Sequence, residues 1–494
     1  MKLKVRDMDV ETGGIRIVIL NKEDAIKLDL HPGDRVRISK GKRKQIAVVD
    51  VAVSPKSVPP GKIGMFEEIL KDIKAKHGDV VHVMIEDKPK TVYYIKKKLK
   101  GAKLSYKEIY AIIKDIVDNK LTDIEISFFV AAIYQNPLSM EETKALTKAI
   151  VVTGDVLKFK KRKIVDKHCI GGVPNNRTSM VLVPIVAAAG LIIPKTSSRS
   201  ITSPSGTADT MEVLTNVSLS PNKIRKVVRQ TNGCLIWGGA MRIAPADDRI
   251  IVVERPLSLD PESQLLASVM AKKRSVGSNY VLIDIPLGKT AKVYDLSKAK
   301  RLKRNFEKIG KMFGMKLKVI ITDGSQPIGN GIGPVLEARD VLWILKNDRR
   351  APIDLKKKAL MMATELLKLA GKKNPRNLAK EILESGKAYK KFIEIIKAQG
   401  AKITNVEMLK PGKFTIDVVA EKTGRVKEIN NKKISKVARV AGAPRDKEAG
   451  IYLHKHVGDS VKKGEKLFTI YAQSNQKLKY AEEVYELIGG YTVG

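Results

Sequence analysis

The sequence predicts an α/β protein of four domains, and three observations support this expectation. The chain has 494 residues, which exceeds what a single hydrophobic core usually serves. Its hydrophobic periodicity changes along the chain from strand-like to helical and back. Between about residues 160 and 330, strands, Gly-rich loops and helices alternate, which is typical of a largely parallel sheet. The predicted domains are a β-barrel-like domain at 1–87, a helical lobe at 88–160, an α/β lobe with helical segments at 161–403 and an α+β domain at 404–494.

The N-terminal domain is predicted mostly as β structure. Alternating apolar and polar residues indicate strands at 15–20 and 80–85. Asn21 precedes a short helical pattern that ends near Leu28, and Asn is a favoured N-cap residue. The segment 31–38 contains a Pro-Gly pair and predicts a turn that leads into a strand. This arrangement resembles a small double-psi or swapped-hairpin barrel, a module typical of adaptor and assembly roles.

The second domain is predicted to be helical. Residues 107–117 place apolar side chains at helical spacing. Two further helices each begin with a capping-box pattern, at 122–125 and at 139–142. In such a box the N-cap hydroxyl and the N3 carboxylate each accept a hydrogen bond from the other residue's backbone N–H. The pair Thr153-Gly154 ends the helical pattern.

The third domain is predicted from strands that are each followed by a loop. The predicted strands end at Asp166 or cover 191–193, 235–237, 281–285 and 319–322, and a buried helix is predicted at 178–189. Ligands in such lobes bind beyond the carboxyl ends of the parallel strands. Residues 331–403 return to a helical pattern, whereas 404–494 combine short strands with turns.

Two polar loops lie at this edge of the predicted sheet. The segment 195–209 holds five Ser and three Thr residues together with Gly206 and two cations. The segment 167–177 contains Gly171-Gly172 and precedes the predicted helix at residue 178. Hydroxyls, close backbone N–H groups and helix N-termini are the groups that hold a phosphate. The sequence therefore predicts one anion site held from two sides, although Gly-Gly and Ser-rich segments also serve as ordinary connections.

The chain is strongly basic, with 93 Lys and Arg against 53 Asp and Glu and a formal net charge of +40. A basic surface binds nucleic acid or attracts small anionic substrates. Aromatic residues make up 5% of the chain and do not alternate with basic residues, which favours a small anionic substrate over nucleic acid. A basic nucleic-acid-binding protein is kept as an alternative.

Cysteine usage and hydropathy predict a cytoplasmic protein without a membrane partner. Cys169 and Cys234 are the two cysteines, and they do not form a disulfide framework. The first residues alternate like a strand and lack the apolar core of a signal peptide. The longest apolar run, 180–194, contains Pro184 and Gly190 and is too short to span a membrane.

Three other features carry little weight by themselves. The segment 288–290 ends like a P-loop, but position 283, where that motif needs Gly, is Ile. His454 and His456 have no further candidate ligand nearby in the sequence, so no metal site is predicted, and no cofactor is expected. Asp260 precedes Pro261, a pair that is common at the start of helices.

Several motifs resemble those of the thymidine and pyrimidine-nucleoside phosphorylase family. Residues 167–172, Lys-His-Cys-Ile-Gly-Gly, are similar to the family's Lys-His-Ser-x-Gly-Gly loop. Residues 197–212 resemble the family's long signature, and Arg255 together with the run 267–273 resembles further landmarks. The likeness covers about residues 90–490. It implies a fold of the nucleoside phosphorylase II type, with a helical lobe and an α/β lobe.

Within this family the chain is most similar to the archaeal AMP phosphorylase branch, of the type 2 subfamily. The N-terminal barrel, the segment 194–203 and Leu259-Asp260-Pro261 carry that similarity. By this resemblance, Asp260 is the catalytic acid that protonates the leaving base. The residues implied to contact AMP are Gly172, Ser198, Arg199, Ser200, Ile201, Thr202, Ser203, Thr207, Ser268 and Lys292. Cys169 is a departure, because it stands where the family has Ser and is a weaker hydrogen-bonding group.

The resemblance implies a pentosyltransferase that acts in nucleotide degradation or salvage. Inorganic phosphate would attack C1′ of AMP, and by extension of CMP and UMP, releasing the base and ribose 1,5-bisphosphate. Because adenine leaves poorly as an anion, a general acid should protonate it, and such catalysis is typically worth about 10²–10⁴-fold. Cations such as Lys167 and Arg199 would help to hold the phosphates, with Arg199 as our candidate for the 5′-phosphate.

Two further expectations accompany this resemblance. Phosphorolysis of thymidine or another pyrimidine nucleoside is an alternative reaction, because the family includes both kinds of substrate. The family also implies a homodimer or a higher homo-oligomer, in which the added barrel and the C-terminal region could link dimers.

Overall fold

We describe the protein from a computed structural model, which divides into two compact units. The description covers residues 1–13, 16–159, 163–200, 203–257 and 259–494. The first unit comprises Met1–Ala149 and Ala246–Gln264, and the second comprises Ile150–Pro245 and Leu265–Gly494. Within the described residues, every helix is too short or too polar to cross a membrane.

The N-terminal part of the first unit is a closed barrel, as predicted. Its elements are β1 (Lys2–Asp7), β2 (Ile17–Asn21), α1 (Lys22–Lys27), β3 (Arg35–Lys40), β4 (Arg43–Ala52), β5 (Lys62–Met65), α2 (Glu67–Ile73) and β6 (Val80–Ile85). The strand order around the barrel is β1-β5-β2-β4-β3-β6. Alternate strand residues such as Leu3 and Val5 point into a common apolar core. Asn21 caps α1 by accepting a hydrogen bond from the backbone N–H of Glu23, as predicted; the predicted start of β2 at Ile15 lies outside the described residues.

The helices that follow begin where the capping patterns predict. They are α3 (Thr91–Leu99), α4 (Tyr106–Val117), α5 (Asp123–Gln135) and α6 (Met140–Val152). The Thr122 hydroxyl accepts a hydrogen bond from Glu125 N, and the Glu125 carboxylate accepts one from Thr122 N. The same reciprocal pair joins Ser139 and Glu142, at 2.8 and 3.2 Å. Both capping boxes are therefore confirmed.

The α/β part of the second unit contains parallel strands, as predicted. Its elements are β7 (Val165–Cys169), α7 (Thr178–Ala188), β8 (Ile193–Ser197), α8 (Thr207–Leu214), α9 (Pro221–Thr231), β9 (Gly233–Trp237), α11 (Glu262–Ser275), β10 (Tyr280–Leu287), α12 (Leu296–Met312) and β11 (Lys316–Asp323). Helix α10 (Pro245–Leu257) is assigned to the first unit from Ala246 onward, and α11 to the second unit from Leu265 onward. Strand β10 pairs in parallel with both β11 and β7. Strands β8 and β9 form a second parallel pair. A parallel bridge pairs Ile164 with Ile192, the residues that precede β7 and β8.

Two predicted strand limits are wrong. The first strand does not end at Asp166 but continues to Cys169, because residues up to Cys169 pair with β10 as far as Asp284. The next strand does not cover 191–193 but runs from Ile193 to Ser197, paired with β9. Each strand therefore extends into the polar segment that the sequence had suggested as loop.

Helices cover the α/β part and lead to the C-terminal α+β region. The elements are β12 (Gly331–Ile332), α13 (Pro334–Lys346), α14 (Ile353–Leu369), α15 (Pro375–Glu384), α16 (Lys387–Gln399), β13 (Phe414–Val419), β14 (Gly424–Ile429), α17 (Asn431–Val440), β15 (Gly450–Leu453), β16 (Ser460–Val461), β17 (Lys466–Ala472), α18 (Asn475–Ile488) and β18 (Tyr491–Val493). Helix α7 is buried along almost its whole length and shares one apolar core with α13, α14 and α16. Two small sheets, β12-β15-β17-β13 and β16-β14-β18, form the C-terminal region. The four domain boundaries stay predictions.

Candidate active site

The predicted anion site lies at the carboxyl ends of two parallel strands. Residues 170–177, here called the glycine loop, connect β7 to the N-terminus of α7. Residues 198–206, here called the serine loop, connect β8 to the N-terminus of α8; Ile201 and Thr202 lie outside the described residues. Each loop therefore leads from a strand end to a helix N-terminus, where the helix dipole favours an anion.

Gly172 is held against Lys292, another residue predicted to contact AMP. Its φ of +95° lies in the left-handed region, and a Cβ at this position would come within 2.3 Å of Lys292 N and 2.9 Å of Lys292 Cβ. Only glycine fits this backbone conformation and this close approach. The structure therefore brings Gly172 and Lys292 together, as one site requires.

The serine loop is folded around the carboxylate of Asp209, in the first turn of α8. Asp209 Oδ2 accepts hydrogen bonds from Ser200 N at 2.7 Å and from Gly206 N at 2.9 Å. The Ser200 hydroxyl donates to Ser203 O at 2.6 Å. Ser198 is exposed, and its carbonyl accepts from Ala208 N at 3.3 Å. These bonds fix the backbone of the loop beside the N-terminus of α8.

Arg199 is hydrogen-bonded to two carboxylates. Its guanidinium donates to Glu212 at 2.7 and 2.9 Å and to Asp209 at 3.2 Å. It also lies over the ring of Trp237, 4.7 Å from the centroid. The bonds from Arg199 hold the pKa of Glu212 down at about 2. Arg199 therefore ties the serine loop to α8, and its contact with a 5′-phosphate stays a prediction.

Arg177 links the two loops directly. This last residue of the glycine loop donates from Nη1 to Thr207 Oγ1 at 2.7 Å and from Nη2 to Ser205 O at 2.8 Å. Its Nε lies 2.8 Å from Glu337 Oε2, in an ion pair whose side chains are 6% and 0% exposed. Thr207, which the sequence predicts as a ligand residue, is thus held in place by a cation that the sequence reasoning missed.

Helix α13 anchors both loops through two carboxylates three residues apart. Glu337 pairs with Arg177 and accepts a hydrogen bond from Thr210 Oγ1, in α8, at 2.7 Å; burial raises its pKa. Asp340 accepts from Asn175 Nδ2, in the glycine loop, at 2.7 Å, and burial raises its pKa to about 7. Two acidic residues at i and i+3 share one face of a helix, so both loops depend on the position of α13.

The start of the predicted glycine-loop segment needs a correction. Lys167 lies in β7 rather than in a loop, and its buried ammonium donates to Thr178 Oγ1 at 2.7 Å; burial lowers its pKa. Cys169 Sγ accepts hydrogen bonds from Asn176 Nδ2 at 3.2 Å and from Gly171 N at 3.4 Å. Burial raises the pKa of this thiol to about 11, so Cys169 acts as a neutral hydrogen-bonding group that shapes the loop.

Ser268 is positioned by α11. Lys272 Nζ, one turn further along this helix, donates to Ser268 Oγ at 3.2 Å. The neighbouring Lys273 is buried and pairs with Asp166 of β7 at 2.5 Å. This ion pair fixes α11 to the strand that leads into the glycine loop. Burial also lowers the pKa of Lys195, in β8, to about 7, so its ammonium loses a proton near neutral pH.

Asp260 belongs to the first unit. It lies in the segment between α10 and α11 and is exposed. The backbone before it is held by a hydrogen bond from Leu259 N to Glu254 O at 3.2 Å. Its role as the general acid stays a prediction.

Comparison with known proteins supplies the family. Residues 92–154 match the helical bundle domain of a glycosyl transferase family, residues 161–389 match the α/β domain of that family, and residues 425–488 match the pyrimidine nucleoside phosphorylase C-terminal domain. The chain is 48% identical over 485 residues to the AMP phosphorylase of Pyrococcus furiosus, covering 97% of this chain and 95% of that protein. The chain belongs to the thymidine and AMP phosphorylase family.

Other relatives carry both names found in this family. The AMP phosphorylase of Methanocaldococcus jannaschii is 43% identical over 491 residues, which cover 99% of this chain and 96% of that protein. A putative thymidine phosphorylase of Legionella pneumophila strain Corby is 47% identical over 450 residues, or 90% of this chain and 86% of that protein. The family predicted from the signature loops is therefore confirmed.

The fold extends to a more distant group of solved structures. Anthranilate phosphoribosyltransferase from Thermus thermophilus is 17% identical and superimposes with a TM-score of 0.51, over 62% of this chain and 98% of that chain. The enzyme of the same name from Saccharomyces cerevisiae gives the same TM-score at 16% identity, over 63% and 98%. At these identities the likeness concerns the fold alone.

Across the described part of the chain, no group of three His, Cys, Asp or Glu side chains could hold a metal ion.

Proposed function

We propose that the protein is a pentosyltransferase that cleaves AMP with inorganic phosphate, producing adenine and ribose 1,5-bisphosphate. The observation that carries this proposal is the similarity to AMP phosphorylases along nearly the whole chain, at 48% identity. The linked glycine and serine loops support it, because they present the glycine, hydroxyl and helix-terminus groups that suit phosphate.

The loops would hold and orient phosphate for attack at C1′. Thr207 and the backbone N–H groups at the start of α8 would bind it together with Gly172 and Lys292. Fixing the nucleophile in this way lowers the entropic part of the barrier. Cationic side chains such as Lys167 and Arg199 would balance the charge of the substrate phosphates.

Asp260 would act as the general acid for the departing adenine. The N-glycosidic bond breaks through an oxocarbenium-like state, as in related glycosyl transfers. The electron pair of that bond goes to the adenine ring, which takes up the Asp260 proton, while phosphate oxygen forms the new bond to C1′. Asp260→Asn should cut turnover by about 10²–10⁴-fold with little change in AMP affinity. Near-normal turnover in this variant would remove Asp260 as the acid.

The decisive assay is a substrate panel with phosphate. AMP, CMP, UMP, adenosine, thymidine and uridine are each incubated with the enzyme, and free base is measured by chromatography. The proposal expects adenine from AMP, and a second phosphorylated product whose phosphorus spectrum shows two phosphates on one ribose. Release of thymine from thymidine without cleavage of AMP would instead assign thymidine phosphorolysis, which the relative named putative thymidine phosphorylase favours. Cleavage of CMP and UMP is a further expectation of the same panel.

Three other proposals accompany this function. The formal charge of +40 is proposed to attract anionic nucleotides rather than to bind nucleic acid; tight, salt-dependent RNA binding without any base release would contradict this. A homodimer or larger homo-oligomer is proposed, to be measured by light scattering of the full chain. A cytoplasmic location is proposed from the free cysteines Cys169 and Cys234, since such thiols suit a reducing compartment.

A further inference from the structure

Lys358 is a buried cation that the proposed mechanism does not use. It lies in α14, and its side chain is 8% exposed. Its Nζ has no hydrogen-bond partner among the residues that the structure describes. A desolvated ammonium without hydrogen bonds is costly, so its presence here calls for an explanation.

The carboxylate nearest to Lys358 is shared with a second buried lysine. Asp284 Oδ2, in β10, lies 3.7 Å from Lys358 Nζ and 3.8 Å from Lys167 Nζ. Asp284 also accepts hydrogen bonds from Thr322 Oγ1 at 2.6 Å and from Asn176 Nδ2 at 3.4 Å. Its oxygens therefore serve several donors at once. Two ammonium groups and one carboxylate leave one positive charge in excess, with the donors of Lys358 unfilled.

This cluster adjoins the glycine loop. Asp284 pairs with Cys169 in the sheet register, and its carbonyl accepts from Ile170 N, the first residue of the loop, at 3.1 Å. Asn176, which donates to the Asp284 carboxylate, belongs to the same loop. Excess positive charge and unfilled donors thus lie next to the loop that is predicted to hold phosphate.

We propose that Lys358 is a further binding residue for inorganic phosphate, acting with Lys167 at the glycine loop. This inference rests on the proposed function and names the cations of its phosphate subsite. A phosphate dianion would balance the excess charge and accept the hydrogen bonds that Lys358 lacks. Charge-assisted bonds of this kind are about twice as strong as neutral ones.

The test compares three variants of the full chain. Lys358→Met removes the charge at similar length, Lys358→Arg keeps a cation, and Lys357→Met makes the same chemical change at the neighbouring, exposed residue. Phosphate affinity is measured by calorimetry with inorganic phosphate alone, and KM for phosphate is measured at saturating AMP. Lys358→Met should raise both constants about 10- to 100-fold, the effect of losing a hydrogen bond to a charged group, while KM for AMP changes little. Lys357→Met should match the wild type, and Lys358→Arg should fall between them.

The competing explanation is that Lys358 is only a structural counter-ion of Asp284. In that case Lys358→Met would lower the melting temperature and leave phosphate affinity and KM for phosphate unchanged, and that result would overturn the proposal. Under the proposal the melting temperature without phosphate stays the same or rises, because an apolar side chain replaces an unbonded buried charge. Stabilisation by added phosphate should shrink in the variant.

Failure of the wider proposed function gives a different result. If the wild type binds phosphate and Lys358→Met weakens that binding, the role of Lys358 stands even when no AMP is cleaved. If AMP is cleaved normally by Lys358→Met with an unchanged KM for phosphate, the proposed function stands and the role of Lys358 is refuted.

Discussion

Because Arg177 links the two loops, we can predict how much stability the protein loses when this residue is replaced. Replacing it by Met removes the guanidinium that joins the glycine loop to Thr207, Ser205 and Glu337. The Met side chain keeps most of the buried length of the arginine but none of its donors. Glu337, whose side chain is 0% exposed, then has no cationic partner. Its carboxylate must either stay charged in a buried position or take up a proton.

The expected loss of stability follows from the burial of this pair. Removing one partner of a buried ion pair typically costs about 3–5 kcal/mol, because the other charge is left uncompensated. Replacing both partners, in Arg177→Met with Glu337→Gln, removes that uncompensated charge. The double variant should therefore be more stable than the sum of the single losses predicts, with a coupling of about 0.5–3 kcal/mol.

The assay uses the two tryptophans of the chain. Trp237 and Trp343 are the only ones in the sequence, and both lie in the second unit, so their fluorescence in urea reports the unit that holds the loops. Arg376→Met makes the same chemical change at an exposed residue of α15 and serves as the control. Its unfolding midpoint should stay close to that of the wild type.

Three results would refute the reasoning about Arg177. A loss below about 1 kcal/mol in Arg177→Met would show that the pair with Glu337 is worth no more than a surface ion pair. Additive losses in the double variant would show that the two side chains do not act together. Normal KM values in a folded Arg177→Met would show that Thr207 needs no support from the guanidinium.

Three further predictions concern single residues. Thr207→Ala should raise KM for AMP or phosphate about tenfold, whereas Thr207→Ser should not; unchanged KM values in the alanine variant would remove Thr207 from the site. Cys169→Ser should keep or improve the use of phosphate, because a hydroxyl accepts the bonds from Gly171 and Asn176 better than sulfur does; a collapse of activity would give the thiol a role of its own. Burial raises the pKa of Asp340 from 3.8 to about 7, so its contribution to stability is complete below about pH 4 and is lost as the pH rises through 7. Asp340→Asn should therefore flatten the change in urea midpoint between pH 4 and 7, and equal slopes in both proteins would contradict the raised pKa.

Local sequence signals predicted many of the structural elements. The boxes at Thr122 and Ser139 placed the starts of α5 and α6, because reciprocal capping bonds are made within four residues. The N-cap at Asn21 placed α1 for the same reason. The ends of β7 and β8 were missed, since Lys167 and Lys195 are polar residues that pair within parallel strands. Only the sheet register, which depends on the neighbouring strands, extends those strands to Cys169 and Ser197.

The candidate site was predictable where neighbouring residues in the sequence share a pattern that suits phosphate. Glycine at position 172 and the hydroxyls in 198–207 are the kinds of group that suit phosphate, and their pattern is visible along the chain. Arg177 and its partner on α13 are chosen for contact with one another, and they are 160 positions apart (177 and 337). No local pattern connects such a pair. One signal was available: Glu337 and Asp340 interrupt the apolar helix Pro334–Lys346, and buried carboxylates require partners.

These contacts connect α13 to both loops of the candidate site, but the two loops depend on this helix in different ways. Glu337 reaches the serine loop through Arg177 and Thr210, and is paired with a cation. Asp340 holds Asn175 in the glycine loop and also accepts hydrogen bonds from Asn330 N and Gly331 N at 2.8 Å, and none of these three donors carries a charge. Raising the pH through 7 ionises Asp340 and strengthens its bonds to these N–H groups, but it introduces a buried charge. Glu337 keeps the charge of Arg177 beside it throughout. Raising the pH through 7 should therefore alter the glycine loop, and with it the proposed phosphate binding, while the Thr207 side of the site stays unchanged.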